Sequence, residues 1–367
     1  MKKVGLITLH RWYNYGSMLQ AYASNYLLNS MGYDCELIDY TPPKIDNRRS
    51  YKLYNDDVEW QDLRNEYITE IIKRKKQFEA FMELYKCSER EYKSDEMLAS
   101  EPPSYDAYVT GGDQIWNVNM RIASKAYFLH FTDSTQKFAF STSIGRCKED
   151  KLTEYQEYIQ KYNRIYIREQ EGKQLIQNLC PNVSVGVMLD PTLILTRKEW
   201  DELIPSERII GERYIACYAT LDDELDAMIP LLYEVYKKEK MPIVLFGMIL
   251  PRKEEWIINK VDVGPLELIR LIRDAELVVT HSFHGTAFAL NYNRPFMTYN
   301  DQLENPRKEG VLRMVGLSDR IVHNEGEALN IIDERIDFQP VNDILEKERN
   351  KAKENITKSV SYTHLTL

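Results

Sequence analysis

The sequence lacks the cysteine pattern that disulfide frameworks and structural zinc sites require. Its 367 residues include only five cysteines, at positions 35, 87, 147, 180 and 217, and no pair has CxxC spacing. An odd number of scattered cysteines indicates reduced thiols, as in a cytoplasmic protein. The pattern also predicts no metal site of the zinc type.

Long apolar runs and an excess of positive charge are missing as well. No segment approaches the roughly 18 consecutive apolar residues that a membrane-spanning helix needs. The start, MKKVGLITLH, has neither a long apolar region nor a small-residue cleavage site, so we interpret it as a first β-strand and not a signal peptide. The formal net charge of −9 argues against a general nucleic-acid surface and predicts that functional basic residues are placed locally.

Several motifs that would identify a cofactor or a catalytic class are absent. The chain has no GxGxxG fingerprint, no Walker lysine motif, no GxSxG elbow and no HExxH pair. We therefore predict no cofactor.

Strand and helix patterns alternate along the first half of the chain. KKVGLITL, MLQAYASNYLLNSM and YDCELIDY form a β–α–β opening, which predicts a parallel sheet with helices on its faces. Further strands are predicted in SYDAYVTGG, KFAFSTSIG, RIYI and VSVGVMLDPTLIL. Residues 41–104 are charged and helical in pattern, so we interpret them as a helical insertion in a first domain of residues 1–205.

The second half repeats the alternation over residues 206–359. RYIACYAT, MPIVLFGM, ELVVT and PFMTY are predicted strands, with helical patterns between them. The predicted fold class is α/β, with two Rossmann-like parallel-sheet domains facing across a cleft, the architecture called GT-B. Ligands of such folds bind at the carboxyl ends of the strands. The last residues, VSYTHLTL (360–367), break the charged helical pattern and resemble a translated library adapter, so we predict a non-native tail.

The stretch HSFHGTAFAL contains two of the six histidines, His281 and His284. It forms the predicted turn from the strand ELVVT into a helix, where backbone N–H groups and the helix dipole favour an anion. An imidazole at His284 could hold phosphate or carboxylate, or transfer a proton, or it could only cap or pack the turn. Gly285 would let the backbone approach a ligand, whereas His281 is interpreted as structural.

Residue types at other strand and helix ends fit an anion site. Arg168 could bind phosphate through its guanidinium or pair with Glu169 or Glu171. Arg307 precedes a predicted helix. Gly111 and Gly112 form a turn in which glycine permits positive φ and close approach.

Beside that turn, Asp113 could act as a general base or as an N-cap. The loop before the first helix offers side chains for sugar hydroxyls, with Ser17 as its plausible N-cap. Its candidate binding residues are Asn14, Gly16, Ser17 and Gln20.

Taken in order, these stretches resemble the polysaccharide pyruvyl transferase family. The resemblance runs from NYGSMLQAYA through VTGGDQIWN, FSTSIG, IREQEG, VMLDPTLIL and THSFHGTAFAL to NPRKEGVLRMVGLSDR. It implies a GT-B-like fold and transfer of the pyruvyl unit of phosphoenolpyruvate, as donor substrate, onto a sugar of a bacterial surface or exported glycan as a ketal.

The resemblance also implies roles for particular residues. His284 matches a donor-binding, catalytic histidine, with Ser282, Phe283 and Gly285 as neighbouring binding residues. Arg168 matches a donor-binding arginine, and Arg307 a recurrent arginine of the late helix. Some relatives carry arginine where this chain has Ser282, which weakens the phosphate site or moves its charge elsewhere.

Two other functions remain open at this point. One is glycosyl transfer from a nucleotide-sugar, and the other is glycan binding without catalysis. The expected partners are phosphoenolpyruvate and a glycan or lipid-linked oligosaccharide acceptor, with no nucleic acid. The expected location is the cytoplasm, where peripheral association with the inner face of the membrane is open, as are the acceptor sugar and the oligomeric state.

Overall fold

The structure is a computed structural model that describes residues 1–43, 58–147, 149–220, 222–250, 254–300 and 306–360. The predicted tail lies outside these residues except for Val360, and so do residues 44–57 of the predicted insertion. No helix in the described ranges is both long and apolar enough to cross a membrane.

The chain divides into two compact units, which are not the predicted segments. Unit 1 comprises the described residues of Met1–Asp46, Met82–Leu195 and Leu345–Leu367, and unit 2 comprises those of Asn47–Phe81 and Thr196–Ile344. The predicted boundary at 205/206 therefore moves to 195/196. The predicted second domain also loses its last helix from Leu345 onwards to unit 1, where this part of the helix packs through Arg349, whose Nε donates to the Leu193 carbonyl at 2.8 Å.

Unit 1 contains an all-parallel sheet whose seven strands, in the described residues, follow the order β3-β2-β1-β4-β5-β6-β7. The strands are β1 (Lys3–Ile7), β2 (Asp34–Tyr40), β3 (Cys87–Tyr92), β4 (Ala107–Gly111), β5 (Lys137–Thr142), β6 (Arg164–Ile167) and β7 (Val185–Val187). Its helices are α1 (Tyr15–Ser30), α4 (Asp95–Ser100), α5 (Glu149–Leu152), α6 (Gln156–Ile159), α7 (Gln170–Leu179) and α8 (Pro191–Ile194).

Unit 2 contains a parallel sheet of six strands, counted over the described ranges, in the order β10-β9-β8-β11-β12-β13. The strands are β8 (Ile215–Tyr218), β9 (Ile243–Phe246), β10 (Ile257–Asn259), β11 (Leu277–Thr280), β12 (Phe296–Tyr299) and β13 (Ile321–Val322). Its helices are α2 (Val58–Glu66), α3 (Ile68–Met82, whose last residue counts with unit 1), α9 (Arg197–Asp201), α10 (Asp222–Glu239), α11 (Pro265–Asp274), α12 (Phe283–Asn291), α13 (Pro306–Met314) and α14 (Glu325–Ile331). Helix α15 (Phe338–Val360) begins in unit 2 and ends in unit 1.

The central strands of both sheets are buried on both faces, which explains their continuous apolar sequences. Every residue of β8, β9, β11 and β12 is buried, as expected where helices cover both faces of a parallel sheet. The two Rossmann-like parallel-sheet domains predicted from the alternation are thus confirmed.

Strand β3 is the main error of the predicted insertion. Its sequence, CSEREY, is charged and half exposed, because β3 is the edge strand of the sheet in the described residues and pairs with β2 there. Charged side chains are common on edge strands, and here they hide the alternation that identifies a strand. The described part of the insertion is therefore helical in α2, α3 and α4, but it also contributes strand β3 to unit 1.

Candidate active site

The predicted site residues lie where the strand order of each sheet reverses. This reversal occurs between β1 and β4 in unit 1, and between β8 and β11 in unit 2. Open parallel sheets bind ligands outside the carboxyl ends of the strands at such points. Because the loops after β1, β4 and β11 carry most of the candidates, topology concentrates them at the positions where this fold class binds ligands.

The start of α1 is capped by Asn14 and not by Ser17, which corrects the predicted cap. The Asn14 Oδ1 accepts the Ser17 backbone N–H at 3.0 Å. Ser17 lies in the first turn, and its hydroxyl donates to Oδ2 of Asp113, which lies 96 residues later in the sequence. The β1–α1 loop and the turn after β4 are therefore joined by a hydroxyl–carboxylate hydrogen bond. Gly16 is buried in the same turn of α1.

The side chain of Gln20 also stabilises this junction. Its Nε2 donates to Thr8 Oγ1 at 2.9 Å and to the Ser17 carbonyl at 2.7 Å, and the residue is fully buried. The Nε2 of Gln20 therefore holds the loop, and the predicted contact between Gln20 and a sugar hydroxyl stays a prediction.

The turn after β4 has two consecutive residues in the left-handed region. Gly112 has φ +48° and Asp113 has φ +54°. An aspartate tolerates this conformation better than most residues because its short side chain bonds locally, and Asp113 Oδ1 accepts the Gln114 N–H at 2.8 Å. No helix begins at this turn in the described residues, so the N-cap alternative for Asp113 is wrong. Packing explains the glycine at position 111, because an added Cβ would lie 2.6 Å from the Leu6 side chain.

We expect Gly112→Ala to destabilise unit 1 by about 2 kcal/mol or more. A left-handed alanine costs roughly 1–2 kcal/mol, and its Cβ would also meet the Gln20 Oε1 at 1.5 Å. Gly32→Ala is the matched control, because Gly32 has φ +88° but nothing within 4 Å of an added Cβ. Calorimetry should show a larger fall in Tm for Gly112→Ala than for Gly32→Ala. Equal falls would show that the Gln20 contact is unimportant.

Arg168 forms a buried ion pair with Asp190, a partner that was not predicted. Its guanidinium Nη1 lies 2.6 Å from the Asp190 carboxylate, with both side chains almost fully buried, and its Nε donates to the Ser141 carbonyl at 2.8 Å. Glu169 instead accepts from the Ser143 hydroxyl at 3.0 Å and the Ile144 N–H at 2.7 Å. In this structure the charge of Arg168 is balanced by Asp190.

In unit 2, His281 spans the point of reversal. Its Nε2 accepts the Thr220 N–H from the loop after β8 at 2.8 Å, and its Nδ1 contacts the Glu224 carboxylate. The Nε2 contact requires a ring without a proton at that nitrogen. Burial, together with the ammonium of Lys308, lowers the pKa of His281 to about 3. The structure thus gives His281 the structural position that its place beside the strand predicted.

This depressed pKa makes the stability of unit 2 dependent on pH. Below about pH 6.5 the ring takes up a proton in the unfolded chain but not in the folded one, so stability falls as the pH drops from 6.5 towards 3. We expect His281→Gln to be less stable at pH 7 but to lose less Tm between pH 6.5 and 4 than the parent. Parallel Tm–pH curves for the two proteins would contradict this assignment.

His284 lies in the first turn of α12, and the residue is 7% exposed. Its ring packs edge-on against Phe283, with centroids 5.2 Å apart. Ser282 is the N-cap residue, but within the described chain its side chain makes no capping hydrogen bond to α12. Since the first N–H groups of a helix have no partner inside the helix, the turn retains the character of an anion site.

Gly285 has a packing role that was not predicted. A Cβ there would lie 2.5 Å from Thr280 Oγ1 and 2.9 Å from its methyl group. The glycine therefore lets α12 pack closely on the end of β11. The predicted approach of a ligand at this glycine stays a prediction.

Two cations of α13 adjoin this turn. The Arg307 guanidinium lies over the Phe283 ring, 5.8 Å from its centroid. Lys308 is buried, and its ammonium donates to the carbonyls of His281 at 2.8 Å and Tyr299 at 2.6 Å. Lys308 was not predicted as a site residue, because nothing in NPRKEG shows that one of its cations points inward.

The described residues that could bind a metal lie outside this set. His10, Asp39 and Cys87 form a group that could hold a metal ion, and none of the three is a predicted site residue. The candidate residues of unit 1 offer hydroxyls, a carboxylate and a guanidinium group, and those of unit 2 offer an imidazole, a guanidinium group and a helix N-terminus. Such groups suit an anionic ligand and proton transfer.

Comparison with known proteins identifies a family that fits these features. The family model described as polysaccharide pyruvyl transferase matches residues 14–301. This range begins at the cap of α1 and includes Asp113, Arg168 and His284, while Arg307 lies beyond it. No curated protein matches the chain.

Solved structures share the fold at low sequence identity. The S. aureus MnaA–UDP co-structure has a TM-score of 0.57 at 10% identity, covering 99% of this chain and 96% of that chain. The UDP-GlcNAc 2-epimerase of Methanocaldococcus jannaschii has a TM-score of 0.52 at 13% identity, covering 99% and 100%. A putative UDP-N-acetylglucosamine 2-epimerase of Listeria monocytogenes has a TM-score of 0.52 at 12% identity, covering 98% and 95%. These likenesses concern the fold alone and agree with the GT-B-like fold class.

Proposed function

The chain belongs to the polysaccharide pyruvyl transferase family, and from this premise we propose that it transfers the pyruvyl group of phosphoenolpyruvate to a glycan sugar. The product is a cyclic ketal on two sugar hydroxyls. The observation that carries the proposal is the position of His284, which lies in the matched range and in the first turn of α12, beside the point where the sheet order reverses.

Donor binding is assigned to the turn between β11 and α12. Phosphoenolpyruvate carries a phosphate and a carboxylate, so it needs several donors and at least one cation. Helix N–H groups and the His284 imidazole provide donors. Arg307, stacked on Phe283, is the candidate cation. It would supply the charge that an arginine at position 282 provides in some relatives.

The chemistry requires balanced proton transfers. A general acid protonates the methylene carbon of the donor, which places positive charge on the adjacent carbon. One sugar hydroxyl attacks that carbon and loses its proton, and the C–O bond to phosphate then breaks. The second hydroxyl closes the ketal, and its proton leaves with phosphate or through a base. We assign the proton transfer at the donor to His284.

A base for the sugar hydroxyls is assigned in unit 1. The Asp113 carboxylate accepts a hydrogen bond from the Ser17 hydroxyl, which is the type of contact a base makes with an attacking hydroxyl. Arg168 is assigned to charge balance in accordance with the family resemblance. Any anion that binds Arg168 would have to share or replace the carboxylate of Asp190, with which Arg168 is paired.

The proposal is tested by phosphate release from phosphoenolpyruvate in the presence and absence of a glycan acceptor. We expect release that depends on the acceptor, and we expect phosphoenolpyruvate, but not UDP-sugars, to raise the Tm. A rise with UDP-sugars alone would favour glycosyl transfer, the second candidate. Glycan binding without any phosphate release would favour a binding protein and overturn the proposal.

The role of Arg307 gives a separate prediction. Arg307→Met should raise the KM for phosphoenolpyruvate roughly tenfold or more, since a hydrogen bond to a charged group contributes about 1.5–3 kcal/mol. Arg313→Met, at an exposed position of the same helix, is the matched control and should leave KM unchanged. Equal KM values for both variants would remove Arg307 from the donor site.

A further inference from the structure

Three potential metal ligands converge just beyond the end of β1, apart from the residues assigned above. His10 follows β1, Asp39 lies in β2, and Cys87 begins β3. One nitrogen, one carboxylate oxygen and the thiol sulfur all lie within 4.8 Å of one another. The sequence gives no sign of this group, because its members are separated by 29 and 48 residues and share no motif.

The hydrogen bonding of His10 directs one ring nitrogen at this group. Its Nδ1 lies 3.0 Å from the Thr8 carbonyl oxygen, which can only accept, so Nδ1 carries a hydrogen. In the neutral ring the Nε2 lone pair then points at Asp39 Oδ1, which lies 3.2 Å away. The Nε2 lone pair and the Asp39 oxygen are both hydrogen-bond acceptors. At 3.2 Å they need either a cation between them or a second proton on the imidazole ring. Histidine ligands of metals usually donate their other N–H to a carbonyl or carboxylate.

The sheet places the other two ligands on one face. Cys87 is paired with Leu37, and Asp39 is two residues further along β2, so their side chains project to the same side of the pleat. The register shifts between Leu37 and Asp39, and the Asp39 N–H donates to the Ser88 hydroxyl at 3.0 Å. An irregularity of this kind often re-aims a side chain beside a functional site.

The guanidinium of Arg11 would compete with a metal ion for the Asp39 carboxylate. Its Nε donates to Asp39 Oδ1 at 2.8 Å, and its Nη2 contacts Oδ2. A carboxylate that binds a metal through one oxygen commonly keeps a hydrogen bond at the other. Since the Arg11 side chain is 34% exposed and Cys87 is partly exposed, an ion could reach the group from solvent.

We propose that His10 Nε2, Asp39 Oδ1 and Cys87 Sγ bind a divalent cation of the zinc class, with water in the fourth position. The mixed nitrogen, oxygen and sulfur set suits zinc and cobalt. In a tetrahedral site with bonds of about 2.0–2.1 Å, neighbouring N and O ligands lie roughly 3.4 Å apart, close to the 3.2 Å between His10 and Asp39. The thiol gives its proton to solvent when the metal–sulfur bond forms.

The site would brace the candidate active site of unit 1. Thr8 accepts from His10 through its carbonyl, and its hydroxyl accepts from Gln20, which in turn bonds the Ser17 carbonyl. An ion that fixes His10 therefore fixes the strand end from which the β1–α1 loop departs. This site differs from the expectation of no zinc site, which considered spacing along the sequence only.

Cobalt(II) is the probe, because a thiolate ligand gives it an intense charge-transfer absorption. We expect the chelator-treated chain to bind one cobalt ion with that absorption, and zinc to displace it and raise the Tm. Cys87→Ser should abolish the thiolate absorption, and His10→Gln should weaken binding at least tenfold. Cys180→Ser, a buried cysteine of the same unit, should behave as the parent does.

Arg11→Met tests the proposal in the opposite direction, because this substitution should strengthen cobalt binding. Removing the competing guanidinium should tighten cobalt binding by roughly tenfold, since one charge at this range contributes on the order of 1 kcal/mol or more. Absence of cobalt absorption in both the parent and Arg11→Met would overturn the proposal and leave an imidazolium–carboxylate–guanidinium network. An unchanged absorption in Cys87→Ser would also overturn it. None of these measurements depends on phosphoenolpyruvate, so their failure would not affect the proposed function.

Discussion

His284→Gln should lower acceptor-dependent phosphate release by roughly a hundredfold to ten-thousandfold, while the fold is retained. A positioned general acid or base contributes a factor of this size, and glutamine keeps a polar side chain but cannot exchange a proton near neutral pH. The loss should appear mainly in kcat, because the helix N-terminus and Arg307 still bind the donor.

The matched control is His323→Gln in the same unit. The ring of His323 bonds the Asn300 carbonyl at 2.9 Å, and no role in the reaction is assigned to it. Circular dichroism and the Tm should be similar for both variants. Ketal formation by His284→Gln at a rate near that of the parent would remove this histidine from the mechanism.

Arg168→Met should destabilise unit 1 by about 3–5 kcal/mol, the largest stability effect expected here. The substitution leaves the Asp190 carboxylate buried without its cation, and breaking a buried pair from one side has this cost. The Tm of the corresponding calorimetric transition should fall by roughly 10 °C.

A second substitution separates stability from donor binding. In Arg168→Met/Asp190→Asn neither member of the ion pair is charged any longer, and asparagine can still accept the Thr192 N–H that Asp190 now accepts at 2.8 Å. Most of the lost stability should return. If Arg168 also contacts the donor, the double variant stays folded but keeps a raised KM for phosphoenolpyruvate. A normal KM would limit Arg168 to the ion pair, and a Tm as low as that of the single variant would contradict the buried-charge explanation.

The positions of most strands and of the site turns could be predicted because their signals are local. Buried parallel strands such as IVLF and LVVT have continuous apolar sequence, and a histidine or glycine pair just after such a run must lie at a strand end. Edge strand β3 escaped prediction because its exposed side is charged. The predicted N-cap of α1 was wrong by three residues. Asn14 and Ser17 are both good capping residues, and only backbone geometry distinguishes them.

By itself, the sequence determined the α/β alternation, the strand ends that carry Asp113, Arg168 and His284, and the family resemblance. Only the tertiary structure decided that Asp190 balances Arg168, that Ser17 bonds Asp113, and that the end of α15 belongs to unit 1. The reason is physical. Periodicity acts over a few residues along the chain, whereas the partner of a buried charge or hydroxyl depends on which strands become neighbours in the sheet.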